Sequence, residues 1–459
     1  MPVLCGNGHT IRNFRWKLEI ETKHLHFIFL FLVLGIIIYL YQNQREIPIE
    51  QVFPGKIWAK PIENLPNLKG VGAPTAKNCG SCHTEIYEEW TRSTHANALS
   101  DIQFQSELAK PSSPKWICLN CHIPVQNQRE TIITGLKNGD YFRPVEIPNP
   151  NFNPEMKTEG VTCATCHVRV DSETNESYVI GALGGTSPPH PIKIDRKQLL
   201  NRCNDCHNET YTLNESLVCS FQTGTELRAT NSNQSCSSCH QKEVLRSLVK
   251  PSLHKPIRKS HKHGFIGGGV PKTFDLYPDQ IRLGYQPGIV LTDLKVENNR
   301  IEVLLTNTKA DHHVTTGDPE RFYRLVLVGL DQKGKEIFKT ETKIGQEWAW
   351  SPVAKKVSDQ RIPSGKSFVW KVEQKYSELP IVSYQFKAVH VRLKDITSDY
   401  MIQSSGYLSS PYKEKVEKMK DLYPHSSVVI ESSYQIKTKS RKDTPLEDLF
   451  KRNALRKGE

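Results

Sequence analysis

The chain has 459 residues, enough for two or three domains. Only 37 % of them are hydrophobic and the mean hydropathy is −0.51, so apolar burial alone is thin for this size and a bound cofactor is expected to complete the core. The formal charge of +12 reads as a solvated basic surface rather than a nucleic-acid face, because acidic cofactor groups inferred below would cancel most of it.

Along the chain, residues 1–24 carry Arg12, Arg15, Lys17 and Lys23 ahead of the apolar run LHFIFLFLVLGIIIYLY at residues 25–41, and only Arg45 follows it closely. The run lies at the short end of what crosses a bilayer, and the charge bias places residues 1–24 in the cytoplasm. No small-x-small cleavage site follows, so an uncleaved single-pass anchor in the inner membrane is expected, with the remainder in the periplasm. Residues 42–75, rich in Pro, Ile and Asn, read as an extended linker. Residues 76–275 hold every paired cysteine amid Asn, Ser, Thr, Gly and Pro, with little long periodicity. The clearest helix is TEIYEEWTRSTHANAL, where Ile86, Trp90 and Leu99 share one side. Residues 285–395 alternate as half-buried strands (IVLTDLKV, IEVLLTN, RFYRLVLVGLD, SFVWKVEQ, YQFKAVHVRL) separated by turn signals, the pattern of a β-sandwich. Residues 396–459 form a polar, basic extension with one helix around Pro411 to Asp421 and a strand at SSVVIESSYQI. The expected fold class is thus mixed: an N-terminal transmembrane helix, a mainly α and irregular domain holding the paired cysteines, then an all-β sandwich-like domain.

Ten of the twelve cysteines form five Cys-x-x-Cys-His segments. They are Cys79, Cys82 and His83; Cys118, Cys121 and His122; Cys163, Cys166 and His167; Cys203, Cys206 and His207; and Cys236, Cys239 and His240. This is the spacing of covalent haem c attachment. Two thiols add to the two vinyl groups of the macrocycle, and the adjacent histidine lies under the iron as proximal ligand. Zinc ribbons pair two Cys-x-x-Cys units per metal, which five units cannot do, and zinc gives no reason for the following histidine. One thioredoxin-like redox site has no use for five copies. Five haem c groups within so few residues must contact one another and replace the missing apolar core.

Electron-transfer haems keep two strong axial ligands, so histidines outside the motifs matter. His95 follows the first motif near Trp90. His190 sits in a proline-held loop that could fix an imidazole. His261 and His263 lie in RKSHKHGFIGG, whose glycines would let backbone approach a porphyrin; His263 is the preferred ligand of the two. His312 and His313 end a strand of the β region, and one of them is expected to reach toward a haem. His254, His390 and His425 read as structural or exposed.

The segments CGSCHTEIYEEWTRSTHANAL, EGVTCATCH, Cys219 to His240 and HGFIGG resemble the cytochrome c554-like multihaem cytochromes. The resemblance implies that His95 and His263 are distal haem ligands. The β region resembles the sandwich attached to some multihaem cytochromes, in which Gly-His-x-x-Pro-Thr-Gly-Pro-x-Arg recurs. Here the text is ADHHVTTGDPERF: His312 falls at the family histidine, while the glycine and the proline before Thr316 are replaced.

Two functions follow. One is an electron-transfer protein of a respiratory chain, taking electrons from a quinol oxidase or periplasmic donor and passing them to a soluble acceptor or reductase, with no catalytic residue and no nucleic acid. The other is a reductase or oxidoreductase acting on a small nitrogen or sulfur oxyanion at one five-coordinate haem. No Cys-x-x-Cys-Lys motif marks such a haem, which favours the carrier.

Overall fold

The structure is a computed structural model that describes residues 24–37, 39, 45–214, 217–350, 352–374 and 380–455. Contacts divide the chain into two compact units: Met1–Lys56 with Ile133–Ile147, and Ile57–Ile132 with Pro148–Glu459. Residues 24–37 are helical, but among the described residues no helix is long and apolar enough to cross a membrane. The physical requirement is a run of about 20 apolar residues in one helix. The expected transmembrane helix at residues 25–41 is therefore overturned, and the inner-membrane localisation that rested on it goes with it. Part of that run, and nearly all of residues 1–24, lie outside the described residues.

The first unit is built on a three-stranded sheet in the order β1–β2–β3, with β1 at Glu46–Pro48, β2 at Thr131–Lys137 and β3 at Pro144–Pro148. Gly135 lets β1 approach, since a Cβ there would meet the Glu46 side chain and the Ile47 carbonyl. The Thr134 hydroxyl donates to Glu46 Oε1 at 2.6 Å across the pair.

The haem-motif part of the second unit departs from the expected mainly helical or irregular texture. Short helices alternate with small sheets: β4 (Val168–Val170), β5 (Ser177–Gly181) and β6 (Ile192–Ile194) form one, β7 (Thr210–Asn214) and β8 (Leu217–Ser220) a second, β9 (Glu243–Ser247) and β10 (Ile257–His261) a third. Among its helices are α1 (Thr84–Thr91), α2 (Ile102–Ala109, capped by Asp101), α3 (Lys115–His122) and α4 (Thr223–Arg228). The motif segments Cys163–His167 and Cys236–His240 are single helical turns. The helix expected to run through His95 stops at Thr91, and the STHAN segment is a series of turns.

Irregular backbone needs other partners for its polar groups when it is buried. Side-chain amides supply them. Gln128, fully buried, donates to the carbonyls of Met156 and Gly160 at 2.9 and 2.7 Å and accepts from the Val125 N–H at 3.0 Å. Asn149 donates to the carbonyls of Gln126 and Arg129, and Asn127 accepts from the Leu65 N–H. The apolar core here is small, consisting of Leu65, Val125, Met156, Ala164 and Val168. Met156 is thus a core residue. Leu65, with Trp58 and Leu68, shows that residues read as linker also contribute buried side chains.

The C-terminal part is two antiparallel sheets. One has the order β11–β12–β16 and the other β15–β14–β13–β17–β18–β19. The ranges are β11 Ile289–Glu297, β12 Arg300–Asn307, β13 Phe322–Leu330, β14 Glu336–Ala349, β15 Lys355–Asp359, β16 Ser367–Glu373, β17 Ser383–Val391, β18 Ser426–Gln435 and β19 Ser440–Asp443. Alternate residues point inward, as the two-residue period requires. Ile301, Val303 and Leu305 of β12 meet Leu325, Leu327 and Phe386 of β13 and β17 in the largest core of the molecule. The sheet continues past residue 395, because β18 pairs along the whole of β17. A bulge between Ala388 and Val389 breaks that register, and Asn453 of α5 (Leu446–Leu455) bonds both the N–H and the carbonyl of Val428 there. Residues 395–423 pack Met401, Val416, Met419 and Tyr423 around Ile102 of α2.

Two stability effects should separate these cores. Phe386→Ala should cost about 3–5 kcal/mol by leaving a cavity between the sheets. Gln128→Leu should cost about 3 kcal/mol or more by stranding two carbonyls and an N–H, at about 1–3 kcal/mol each. Denaturant unfolding followed by far-UV dichroism measures both.

Candidate functional site

No disulfide joins the ten motif cysteines. Their packing shows which motifs neighbour one another. The thiols of Cys79 and Cys163 are close enough to influence one another, as are those of Cys203 and Cys236 and of Cys206 and Cys121. The first motif therefore adjoins the third, and the fourth adjoins both the second and the fifth.

The motif histidines are held by backbone. Nδ1 of His83 faces the Leu248 carbonyl at 2.7 Å, that of His122 the Ala98 carbonyl at 2.8 Å, that of His167 the Ile180 carbonyl at 3.0 Å and that of His240 the Ile266 carbonyl at 2.6 Å. An Nδ1–H donated to a carbonyl fixes the ring and leaves the Nε2 lone pair for a metal. Burial keeps several of these rings neutral. It pushes His122 down to about 4 and also lowers His167 and His207.

Three motif rings face a histidine from elsewhere in the chain. His207 faces His95 with ring centroids 6.2 Å apart, His167 faces His263 at 6.3 Å, and His240 faces His312 at 6.2 Å with an 8° interplanar angle. Imidazole nitrogens ligate first-row metals at about 2.0–2.1 Å, so rings on opposite sides of one metal stand roughly 6 Å apart between centroids. The spacing, the neutral rings and the paired thiols all fit covalently attached haem. His95 and His263 are each pushed down to about 3, burial being the main cause.

The remaining sequence candidates are placed differently. His190 lies close enough to His83 for the two rings to interact electrostatically, with Nδ1 3.4 Å from the Pro191 carbonyl. His261 is held on β10 by the Gln241 carbonyl at 2.8 Å, and its own carbonyl accepts from His263 Nδ1 and from Arg246. His390 is buried, stacked on Tyr323 and bonded to the Gly268 carbonyl. His122 has no imidazole facing it among the described residues. Instead Phe104 of α2 stacks flat on its ring at 3.5 Å and 4°. Asp101 and Lys272 are near enough to act on His122 electrostatically. Lys272 Nζ pairs with Asp101 at 2.5 Å, and the Tyr423 hydroxyl reaches the same carboxylate oxygen at 3.0 Å. Burial pushes the Asp101 carboxyl up, but Lys272 and Arg392 outweigh it and hold it at about 2.

Several positioning residues were not evident from the sequence. Gly160, with φ +61°, lies under the STHAN turn: a Cβ there would sit 2.5 Å from the His95 carbonyl oxygen, and the Val161 N–H donates to that same oxygen. Gly70, with φ +78°, does the same for the His190 loop, against the Pro189 carbonyl. Glu89 of α1 accepts from the His263 N–H at 2.8 Å and pairs in a fork with Arg246, whose side chain is 7 % exposed. After His263, a Cβ at Gly264, Gly268 or Gly269 would meet Leu283, His390 or Tyr285, whereas one at Gly267 would meet nothing within 4 Å. Only backbone carrying a glycine or an unremarkable glutamate signalled these roles in advance.

Residues 78–145, spanning the first two motifs, match the family model described as cytochrome c554 and c-prime. Among solved structures, the crystal structure of a penta-heme cytochrome c552 from Thermochromatium tepidum is similar, with a TM-score of 0.51 and 18 % identity over 79 % of this chain and 98 % of that one. No curated protein matches. At that identity the likeness bears on fold. The attachment signatures recur beyond the matched segment and three of their imidazoles face a second histidine, so the chain resembles the multihaem c-type cytochromes in motif and in fold.

Proposed function

We propose that the chain holds five haem c groups, one at each motif, and carries electrons between a donor protein and an acceptor or reductase. Bound haem c supplies one-electron chemistry at its iron. The observation that supports a carrier is the set of three facing imidazole pairs, His95 with His207, His263 with His167 and His312 with His240. Two strong ligands suit electron transfer because they leave no coordination position for substrate. In this reading His95, His263 and His312 are the distal ligands at the fourth, third and fifth motifs, and His190 serves the first. The adjacency of the fourth motif to the second and the fifth makes it the junction of the array.

A second reading rests on His122, whose ring is faced by no imidazole among the described residues and lies near Lys272 and Asp101. An open position beside a cation suits a small nitrogen or sulfur oxyanion, the substrate class of a multihaem reductase.

EPR and optical spectra of the purified, haem-loaded protein decide between the readings. The carrier reading expects low-spin, paired-imidazole signals from the third, fourth and fifth motifs, and their absence would sink it. A high-spin component at one haem that takes up cyanide or nitric oxide carries the second reading; five low-spin haems with no uptake remove it. Gly160→Ala should convert the haem at the fourth motif toward high spin by displacing His95, whereas Gly406→Ala, which meets nothing within 4 Å, should leave the spectrum unchanged.

A further inference from the structure

The segment that brings His312 to His240 leaves the β region between β12 and β13 and is tied to the haem-motif region at several points. Ser232 donates to Asp311 Oδ2 at 2.5 Å. On the β side, Asn307 of β12, fully buried, donates to the His312 carbonyl at 2.8 Å. The densest tie is Glu226 of α4, which is 6 % exposed. Its Oε2 accepts from the His313 N–H at 3.2 Å and from the Thr316 hydroxyl at 2.7 Å. Its Oε1 accepts from Arg361 Nη1 at 2.6 Å, and Arg361, 5 % exposed at its side chain, is itself held by Asp359 through two bonds of 2.9 Å. Thr223, at the start of α4, shares a hydroxyl contact of 2.9 Å with Thr316.

A carboxylate is costly to bury unless every lone pair direction is answered, and this one is answered almost entirely by the loop that carries His312 and by the strand end beside it. Packing alone does not require such an arrangement: an apolar contact between α4 and the loop would hold the two regions together without specifying the loop's register. Charge-assisted bonds to the residue after His312 and to Thr316 do specify it, and in that register the imidazole stands 6.2 Å from the His240 ring.

We propose that Glu226 is a positioning residue that latches the β region onto the haem-motif region and so sets His312 as sixth ligand of the iron at the fifth motif. This rests on the reading that His312 is that ligand. The β-rich part of the chain then acts as a coordination arm: the ligand state of one haem reports whether the two regions are docked.

The experiment compares the haem-loaded full chain with its Glu226→Gln, Glu226→Asp, Thr316→Val and His312→Ala variants by EPR and by cyanide titration. His312→Ala should make one haem high-spin and raise cyanide uptake by one equivalent per chain over the unaltered protein. Glu226→Gln should give the same new high-spin signal, Glu226→Asp should restore most of the low-spin signal, and Thr316→Val should give an intermediate fraction. If Glu226→Gln fails to take up its full haem complement, the Thr316→Val spectrum is read in its place. A changed spectrum in His312→Ala with unchanged spectra in Glu226→Gln and Thr316→Val overturns the latch and leaves the ligand reading standing. An unchanged spectrum in His312→Ala overturns the ligand reading, and the latch with it.

Discussion

An imidazole can offer Nε2 to a metal in a fixed direction only when Nδ1 is held by something else, and most of this molecule's second unit is organised around that requirement. The carbonyls of Leu248, Ala98, Ile180 and Ile266 receive four of the five motif histidines. Three of these carbonyls lie in loops or strand ends well outside the motif they serve, so irregular backbone has to be placed with the accuracy of a hydrogen bond. That explains the texture of residues 57–283. Regular helices would use their own carbonyls internally, whereas short strands and turns leave carbonyls available.

Placing such backbone without long secondary structure demands buried amide side chains and glycines at close approaches. Gln128 ties three backbone groups together, and Gly160 allows one stretch of chain to rest on the His95 turn. The charged residues in the same region act likewise: Glu89 with Arg246 fixes the segment of His263, and Glu226 with Arg361 fixes that of His312. Each pair is buried, and a buried pair contributes more to specifying one arrangement than to net stability.

The β-rich part is therefore more than an appended layer. Its core is an ordinary two-sheet interior, but its edges are committed to the haem motifs through His312, through His390 on the Gly268 carbonyl, and through Tyr423 and Arg392 around Asp101. The ring of His122 lies beside this last cluster and under Phe104, the only motif ring among those described that is covered flat by a carbocyclic side chain. The same fold thus offers two kinds of environment, one closed by facing imidazoles and one bordered by charge.

Local chemistry was legible in the sequence because it is written within five consecutive residues: thiol spacing, adjacent histidine and their repetition identify covalent haem without any fold. Strand alternation in residues 285–395 was legible for a similar reason, since period two is a property of neighbours. Sequence patterns failed where the outcome depended on distance in space. The apolar run at residues 25–41 does not become a helix long enough to span a membrane among the described residues, and the helix after the first motif ends before His95. Which histidine faces which motif, that no imidazole among the described residues faces His122, and that Glu226 answers groups 87 to 135 residues away were decided by tertiary structure alone. Hydrogen bonds and ring pairs between remote segments leave no periodicity for a sequence to display.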